Sequence, residues 1–574
     1  MSYKQILNTG SGRIAEAEAY VRQDAEAGNA ISTSPDCSGR TPDVSLLRTL
    51  SERAAVTPEA VYVIDVEGRT LTYRETLEGA RLWAAAYRSQ GVGRGDLVVT
   101  MQHNTIESLL GWLGLAWLGA IETPINTDYR GTLLLHVLEL TGARVMLAQE
   151  SFLSRIMEVA PQASSLAKVV VVDGAGETGG PVPCIGLQEF HSGVEPARDL
   201  VLPKPWDIMA VLFTSGTTGP SKGVLIPWAQ IHAMSTGTFP IEDLGPDDVV
   251  YNPSPTYHVG AKTFPYVAAL AGGRHLMRPF ISRTQAPEDY RRFGVTTGTV
   301  PYLWLDAPPE PDDADQLVRN LLTPQRDPRA DAFAKRFGCR RYGCFNMTEI
   351  SCPIIFRDWD AIVVDEAGRM SCGVQREGFE VRIVDEQDQP VPPGTPGELI
   401  VRASTPWLLN AGYLNNPEAT VAAWRNGWFH TGDAFIQDEE GNFYFLDRLK
   451  DCIRRRGENI SSFEVESFVN SHPAVARSAA VAIKRSATPE ADEEIKIVVE
   501  LEPGASLDAE ALVRWLIPRA PRFMIPRYIE FVEALPLTPT QKVQKKLLRE
   551  AGVGREVWDR EAAGVELPRE ALQP

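Results

Sequence analysis

The sequence predicts an α/β protein with a large N-terminal domain of helix-covered mixed β-sheets, a small β-barrel-like part, and a small α+β C-terminal domain. Three observations support this fold class. Strand-like and helix-like patterns alternate from residue 43 onward, as in parallel sheets covered by helices. Between residues 378 and 401, apolar and polar residues alternate around Pro and Gly turns, which favours an antiparallel hairpin or small barrel. Beyond residue 461 the patterns of a smaller α+β unit follow.

The N-terminal elements begin after a polar stretch. Residues 1–42 are rich in Ala, Glu, Ser and Gly, so we expect a loosely ordered leader arm. SLLRTLSERAAV then predicts an amphipathic helix capped by Asp43. TLTYRETLEGARLWAAAYRSQG predicts a strand that runs into a helix ending at Gly91.

The alternation continues through the middle of the chain. DLVVTMQ, ARVMLA and KVVVVD predict strands, and Ala210–Phe213 predicts a short strand that enters a loop. LLGWLGLAWLGAI, from Leu109 to Ile121, is too short to span a bilayer and lies between Glu107 and Glu122. We therefore expect a buried core helix and no transmembrane segment.

The domain boundaries follow from these changes of pattern. We assign 43–447 to the N-terminal domain, 448–550 to the C-terminal domain and 551–574 to a loose polar tail. Helices are expected near Ser461–His472 and Asp508–Ile517, with strands at SAAVAIK, IKIVVEL and YIEFVEAL.

Composition excludes some classes of protein. A chain of 574 residues suits two or three domains. The net charge of -18 and the pI of about 5.1 argue against nucleic-acid binding. The seven cysteines contain no CxxC pair, and Cys339, Cys344 and Cys352 fit no common zinc spacing, so reduced thiols in a cytoplasmic protein are expected. The N-terminus shows no apolar secretory region.

The stretch LFTSGTTGPSKGV, Leu212 to Val224, is typical of a phosphate site. Its glycines let the backbone approach an anion, its hydroxyls donate, and Lys222 adds positive charge. It is not a Walker A loop, because Lys222 follows Ser221 and precedes Gly223. Taken alone, the stretch fits a flexible surface turn equally well.

Further motifs occur with it in a fixed order. They are LTYRE, GVGRGD, LGLAWLGAIETPIN, PSPTYHVGA, FNMTE, GWFHTGD, FLDRLKDCIRRRGENI and LPLTPTQKVQK. Together with TSGTTGPSKG they resemble the adenylate-forming (AMP-binding) superfamily of acyl-CoA ligases, luciferases and peptide-synthetase adenylation domains. The likeness spans residues 50 to 550, and DAFAKRF and DEEGNFYFLDR are most similar to the crotonobetaine/carnitine-CoA ligase branch.

The resemblance implies roles in ATP binding and adenylation. The phosphate loop would hold the β- and γ-phosphates, Thr348 the α-phosphate, and Phe345 with Asn346 the adenine. Glu349, with Thr217, would hold Mg²⁺. Asp433 and Arg448 would bind the ribose, and Lys542 would lie between the carboxylate and the α-phosphate. The implied loop residues are Thr214, Ser215, Gly216, Thr217, Thr218, Gly219 and Lys222.

The same likeness implies a mobile C-terminal domain and a second substrate, CoA. Lys450 would be the hinge of a domain rotation between two half-reactions. The segment Arg456, Gly457, Glu458 and Asn459 would face CoA, and Tyr257, His258 and Gly298 would line the acyl pocket.

Three departures from the family pattern stand out. Phe345 replaces the usual tyrosine, and Asn346 replaces a glycine. Asparagine tolerates an unusual backbone angle better than most residues do. LLTPQRD, residues 321–327, replaces a Gly-Gly-Ala segment. Gln541 precedes Lys542 in place of glycine.

Each functional assignment has a structural alternative. Thr348 and Glu349 also suit a helix-cap pair, and Asp433 a turn. Lys542 also suits a solvated lysine beside Lys545 and Lys546, and His258 a core histidine. Lys262 suits either the acyl pocket or the surface.

The sequence favours a carboxylate–CoA ligase, monomeric or homodimeric, that uses ATP, Mg²⁺, a carboxylic acid and CoA. The alternatives are an adenylate-forming enzyme with a carrier-protein thiol or amine as acceptor, and a nucleotide-binding regulatory protein with an inactive site. Retention of Glu349, Asp433 and Lys542 argues against the last. The identity of the acid is not encoded in any motif.

Overall fold

The structure is a computed structural model that describes residues 40–567 with internal gaps. The gaps are 177–178, 215–220, 281, 283, 300–303, 305–307, 312, 323–327, 357–362, 366–367, 450, 452, 456–457, 485–492, 521–523, 539–541 and 555. Two compact units are present. The larger unit takes in the chain up to Thr214, Lys222–Val381 and Val401–Trp428, and the smaller unit takes in Arg382–Ile400 and the chain from Phe429 onward.

The first part of the chain alternates strands and helices. The strands are β1 (Val61–Asp65), β2 (Thr70–Thr72), β3 (Leu97–Met101), β4 (Ile121–Pro124), β5 (Val145–Ala148), β6 (Lys168–Val171), β7 (Cys184–Gly186), β8 (Ile208–Thr214), β9 (Lys222–Pro227), β10 (Val249–Asn252), β11 (Arg274–Met277), β12 (Thr297–Thr299), β13 (Asn320–Leu322), β14 (Arg340–Tyr342), β15 (Cys344–Phe345), β16 (Ile354–Ile355) and β17 (Gly373–Gln375). The helices of the larger unit are Leu46–Val56, Tyr73–Ser89, Ile106–Leu118, Gly131–Thr141, Leu153–Val159, Leu187–Phe190, Trp228–Thr238, Gly260–Ala271, Ala286–Phe293, Pro328–Phe337 and Pro417–Ala423.

The first fourteen strands, β1 to β14, build two seven-stranded sheets in the larger unit. One has the order β14–β13–β12–β10–β11–β1–β2, and the other β7–β6–β5–β3–β4–β8–β9. Their pairs are parallel except for the antiparallel edges β1–β2 and β8–β9. The predicted mixed sheets covered by helices are therefore confirmed.

The predicted core helix is buried as expected. It runs from Ile106 to Leu118, and Gly114 lets it approach the Tyr73–Ser89 helix, because a Cβ there would lie 2.7 Å from the Trp83 Cβ. Thr105 and Thr72 cap the two helices with capping boxes. No helix among the described residues is both long and apolar enough to cross a membrane.

The first helix begins at a different cap from the one predicted. The helix is Leu46–Val56, and the Ser45 hydroxyl accepts the Arg48 N–H. Asp43 instead pairs with the Arg48 side chain at 2.6 Å. Ser45 directly precedes the first helical residue, where a cap must lie, and Asp43 is two residues too early.

The remaining strands form the antiparallel part and the C-terminal sheet. They are β18 (Phe379–Val384), β19 (Gly397–Ala403), β20 (Phe429–Gln437), β21 (Asn442–Arg448), β22 (Ile453–Arg455), β23 (Glu458–Ile460), β24 (Val475–Lys484), β25 (Glu493–Leu501), β26 (Tyr528–Val532) and β27 (Trp558–Asp559). Helices Ser462–Asn470, Ala509–Leu516 and Lys545–Ala551 accompany them. The four-stranded sheet β24–β25–β26–β27 and the apolar faces of these helices give the smaller unit its own core.

The segment that follows residue 550 is more ordered than a loose tail. β27 pairs with β26, and Asp559 accepts from Arg527 at 2.9 Å. The sequence did not predict this strand because the segment is polar. An edge strand such as β27 can be polar, and an ion pair to Arg527 stabilises it. The leader arm up to residue 39 and residues 568–574 lie outside the described residues.

Candidate active site

The two ends of the phosphate-loop stretch meet at the end of a hairpin. β8 and β9 pair antiparallel, with Thr214 opposite Lys222. The predicted residues Ser215, Gly216, Thr217, Thr218 and Gly219 lie outside the described residues. Thr214 and Lys222 are both half-buried at the edge of the sheet.

A short segment of the chain runs beside β9 and brings Tyr413 next to Lys222. The Leu225 N–H donates to Gly412 O at 3.0 Å, and the Leu414 N–H donates to Gly223 O at 2.8 Å. The Lys222 Nζ consequently lies 4.9 Å from the centroid of the Tyr413 ring. An ammonium over the face of an aromatic ring is attracted by the ring quadrupole.

Glu349 lies on the other side of the same tyrosine. The Tyr413 hydroxyl donates to Glu349 Oε1 at 3.2 Å, and both side chains are buried. The Glu349 carbonyl accepts from the N–H and the side-chain amide of Asn410, at 3.1 and 2.9 Å. The structure thus brings together two predicted site residues, Lys222 and Glu349, through one that was not predicted, Tyr413.

Thr348 and Glu349 lie in a turn and not at the start of a helix. The Ile350 N–H donates to Met347 O at 3.2 Å, and Gln230 Nε2 donates to Thr348 O at 3.0 Å. The helix-cap alternative is therefore wrong, because no helix follows Glu349 to supply N–H groups.

The adenine-motif residues Phe345 and Asn346 precede that turn. Phe345 is buried and pairs with Ile354 between β15 and β16. The Asn346 side chain accepts the Cys352 N–H at 3.3 Å and closes the loop between them. The positive φ in this loop is at Cys352 (51°), so tolerance of an unusual backbone angle is not what Asn346 contributes.

The predicted acyl-pocket residues lie in the larger unit. The Tyr257 and His258 rings are neighbours, with centroids 4.8 Å apart, and burial raises the pKa of Tyr257. Gly298 lies in β12 with its Cα turned towards Tyr290 and Tyr251, so a side chain at that position would meet the Tyr290 hydroxyl.

Lys262 is not a surface lysine. Its ammonium pairs with the carboxylate of Glu122, and both side chains are almost fully buried. The Lys262 Nζ also lies 4.3 Å from the Trp112 ring centroid. Burial raises the pKa of Glu122, and the Lys262 charge opposes that rise.

The predicted ribose residues meet in the smaller unit. Asp433 and Arg448 face each other across β20 and β21, and they form an ion pair in which Arg448 Nε lies 2.8 Å from Asp433 Oδ1. Only 1% of the Asp433 side chain is exposed, against 42% for Arg448. Asp433 lies within a strand, so the turn alternative is wrong.

Lys542 is exposed in the smaller unit, and its backbone bonds to that of Thr538. The Thr538 N–H donates to Lys542 O at 2.7 Å, and the Lys542 N–H donates to the Thr538 hydroxyl at 3.1 Å. These two bonds fix the backbone and leave the side chain at the surface. Lys545 is half-buried instead, and its ammonium pairs with Glu466 at 2.7 Å.

The hinge and CoA-side assignments are only partly described. Lys450, Arg456 and Gly457 lie outside the described residues, as do 323–327 and Gln541. Glu458 and Asn459 belong by their backbone to β23, which pairs antiparallel with β22.

Comparison with known proteins identifies the family. Residues 50–414 match the AMP-binding enzyme family, and residues 464–542 match the AMP-binding enzyme C-terminal domain. The chain belongs to the AMP-binding enzyme family. Its motifs predict the same family.

Curated relatives of this AMP-binding enzyme are CoA ligases. Crotonobetaine/carnitine–CoA ligase of Escherichia coli O17:K52:H18 is 28% identical over 496 residues, 83% of this chain and 93% of the relative. The ligase of the same name from Salmonella arizonae is 28% identical over 488 residues, 81% and 90% of the two chains. These relatives agree with the prediction of an AMP-forming acid–thiol ligase.

Solved structures share the fold of this AMP-binding enzyme. The anthranilate CoA ligase AuaEII in complex with anthranoyl-AMP superposes with a TM-score of 0.75 at 22% identity, covering 91% of this chain and 98% of that one. ATP-bound MatB from Rhodopseudomonas palustris gives 0.74 at 24% identity, covering 89% and 99%. The fold class predicted from the sequence is confirmed.

The motif analysis missed Tyr413, Asn410 and Gln230. Tyr413 lies in AGYLNNP, where a Gly and a turn-forming Asn-Pro flank it, but no local pattern shows that this segment lies along β9. The tyrosine itself was the one available signal, because the segment is too short to be recognised as a strand.

Proposed function

We propose that this AMP-binding enzyme is an ATP-dependent carboxylate–CoA ligase. In the first half-reaction a carboxylate oxygen attacks the α-phosphorus of ATP, and the bond to pyrophosphate breaks. In the second, the thiolate of CoA attacks the acyl carbonyl and AMP leaves. The observation that carries the proposal is the meeting of Lys222, Tyr413 and Glu349 in the larger unit, since it pairs a phosphate-binding cation with a carboxylate suited to a metal.

The donors present fit Mg²⁺ that arrives with the nucleotide. Mg²⁺ is commonly bound by one or two carboxylates together with substrate phosphates and waters. Glu349 supplies one buried carboxylate, and no group of three or more potential ligands is found among the described residues. When bound, the ion would neutralise charge on the phosphate oxygens. Glu349 would hold it, with Thr217 as the second predicted ligand.

The chain's own residues then have distinct parts in the proposed reaction. Lys222 would hold the departing pyrophosphate, and Thr348 would donate to the α-phosphate. Asp433 would accept from the ribose hydroxyls, held in place by Arg448. Lys542 would stabilise the charge that develops as the acid attacks, and its exposed position suits a group that is brought to the substrate.

The partners and compartment belong to the same proposal. We propose a monomer or homodimer in the cytoplasm, with CoA as the acceptor and no nucleic-acid partner. Five cysteines of the described residues, Cys184, Cys339, Cys344, Cys352 and Cys372, are free thiols, which suits a reducing compartment.

The proposal is tested by two assays on the purified full-length enzyme. ATP–pyrophosphate exchange is measured with a panel of acids that includes crotonobetaine, carnitine and anthranilate, and CoA consumption is then measured with each active acid. We expect exchange that depends on the acid, followed by thioester formation. Exchange without thioester would contradict CoA as acceptor and favour a carrier-protein thiol or an amine. No exchange with any acid would contradict adenylation.

A further inference from the structure

We propose that Tyr413 is a positioning residue that orients Glu349 for a metal-bound nucleotide and Lys222 for its phosphates. The inference rests on the proposed function, since it concerns the same site, and no motif of the sequence assigns a role to Tyr413. The tyrosine acts through its two neighbours and not through contact with the reacting atoms.

Tyr413 makes two contacts, one through its hydroxyl and one through the face of its ring. The hydroxyl donates to Glu349 Oε1 at 3.2 Å, whereas the face of the ring lies 4.9 Å from Lys222 Nζ. Because the ring is rigid, the carboxylate and the ammonium are held at positions set by one side chain. Only 8% of Tyr413 and 7% of Glu349 are exposed, so water competes little for these contacts.

Each contact restricts the side chain that it touches. The hydrogen bond from the Tyr413 hydroxyl fixes the rotation of the Glu349 carboxyl group about its last bond. The ring face attracts the Lys222 ammonium and limits the rotamers of its long side chain. Both effects reduce the reorganisation needed when MgATP binds.

The backbone around Tyr413 is fixed on both sides. The segment from Asn410 to Leu414 bonds to β9 through Leu225 and Gly223, at 2.8 to 3.0 Å. Asn410 also donates twice to the carbonyl of Glu349, and Asn410 Oδ1 accepts from Trp424 Nε1 at 3.2 Å. The carbon frame of the tyrosine is thus anchored to the strand that carries Lys222 and to the turn that carries Glu349.

The experiment separates the two ends of the side chain. Tyr413→Phe removes the hydroxyl but keeps the ring face, and Tyr413→Leu removes both. Binding of MgATP, and of ATP in EDTA, is measured by calorimetry on the full-length variants, together with the KM for the acid. The matched control is Tyr73→Phe, because Tyr73 is buried in the same unit and its hydroxyl donates to Gly273 O at 2.8 Å.

We expect Tyr413→Phe to weaken MgATP binding by about tenfold, as for loss of a hydrogen bond to a charged group. Binding of metal-free ATP and the KM for the acid should change less than about twofold. Tyr413→Leu should weaken binding of both forms of ATP, since the Lys222 contact is also lost. Tyr73→Phe should lower the Tm as much as Tyr413→Phe but leave MgATP affinity unchanged.

Three results would overturn the inference. Tyr413→Phe could leave MgATP affinity unchanged, could weaken MgATP and metal-free ATP equally, or could match Tyr73→Phe in every binding constant. Failure of the proposed function has a different signature, because the binding assay needs no acid. Absence of acid-dependent exchange in the wild type would end the ligase proposal, whereas a selective loss of MgATP affinity in Tyr413→Phe would still support the role of Tyr413.

Discussion

The surroundings of Glu349 and those of Lys542 differ in burial: the first side chain lies in the interior and the second at the surface. Glu349 is buried, its carboxylate accepts from Tyr413, and its backbone accepts twice from Asn410. Lys542 lies at the surface, and its backbone makes two hydrogen bonds with Thr538. A buried side chain with fixed hydrogen-bond partners suits binding, whereas an exposed side chain suits delivery to the substrate at one step.

The largest expected effect tests the delivery side of that comparison. Lys542→Ala should slow adenylation by about a thousandfold or more, because it removes a charge aligned with the transition state. Thioester formation from supplied acyl-AMP should stay within a few-fold of wild type. Each half-reaction is measured separately. The matched control is Lys546→Ala, since Lys546 is exposed and makes only a 3.8 Å pair with Glu550.

The comparison breaks if Lys542→Ala slows both half-reactions equally. Such a result would place Lys542 among residues needed throughout the cycle. A similar loss in Lys546→Ala would show that positive charge in this region matters generally and not the side chain at position 542.

The next expected effect tests whether the buried ion pair between Lys262 and Glu122 stabilises the larger unit. Lys262→Met leaves the Glu122 carboxylate buried without its ion-pair partner, which should lower the free energy of unfolding by about 3 kcal/mol or more. The double variant Glu122→Gln/Lys262→Met should be more stable than Lys262→Met. Denaturant unfolding of the three proteins checks this, and a double variant no more stable than the single one would contradict a coupled pair.

Features that depend on neighbouring residues in the sequence were predicted, and contacts between distant segments were not. Elements with a clear local period were predicted within a few residues: Ser462–Asn470 against Ser461–His472, and Ala509–Leu516 against Asp508–Ile517. The resemblance to the adenylate-forming family led to Lys222 and Glu349, which the structure brings to one tyrosine. Local pattern therefore predicts the elements, whereas the site residues came from the family resemblance.

Contacts between distant segments were not predictable in the same way. Lys262 and Glu122 are 140 residues apart, and Tyr413 and Glu349 are 64 apart. Neither pairing leaves a periodic signal, because each depends on which strands and helices become neighbours. The β27 strand was missed for a similar reason, as its partner β26 and its ion pair to Arg527 lie far away along the chain.

A pH dependence of stability is also expected, and its source is a buried histidine in the core of the larger unit. Burial lowers the pKa of His275 to about 3. Since the unfolded chain binds this proton near pH 6.5 and the folded chain does not, stability should fall as the pH drops below about 6.5, by about 1.4 kcal/mol per pH unit. His275→Leu should flatten that slope in unfolding measurements between pH 6.5 and 4. An unchanged slope would contradict a neutral, buried His275.

The central claim is that Glu349 contributes to MgATP binding, whereas Lys542 acts only in adenylation. Calorimetric titration of MgATP into Lys542→Ala and Glu349→Gln tests this directly. We predict that Lys542→Ala binds MgATP within about threefold of wild type, whereas Glu349→Gln binds about tenfold more weakly because the ion loses a charged ligand. Loss of MgATP binding in Lys542→Ala, with normal binding in Glu349→Gln, would contradict it.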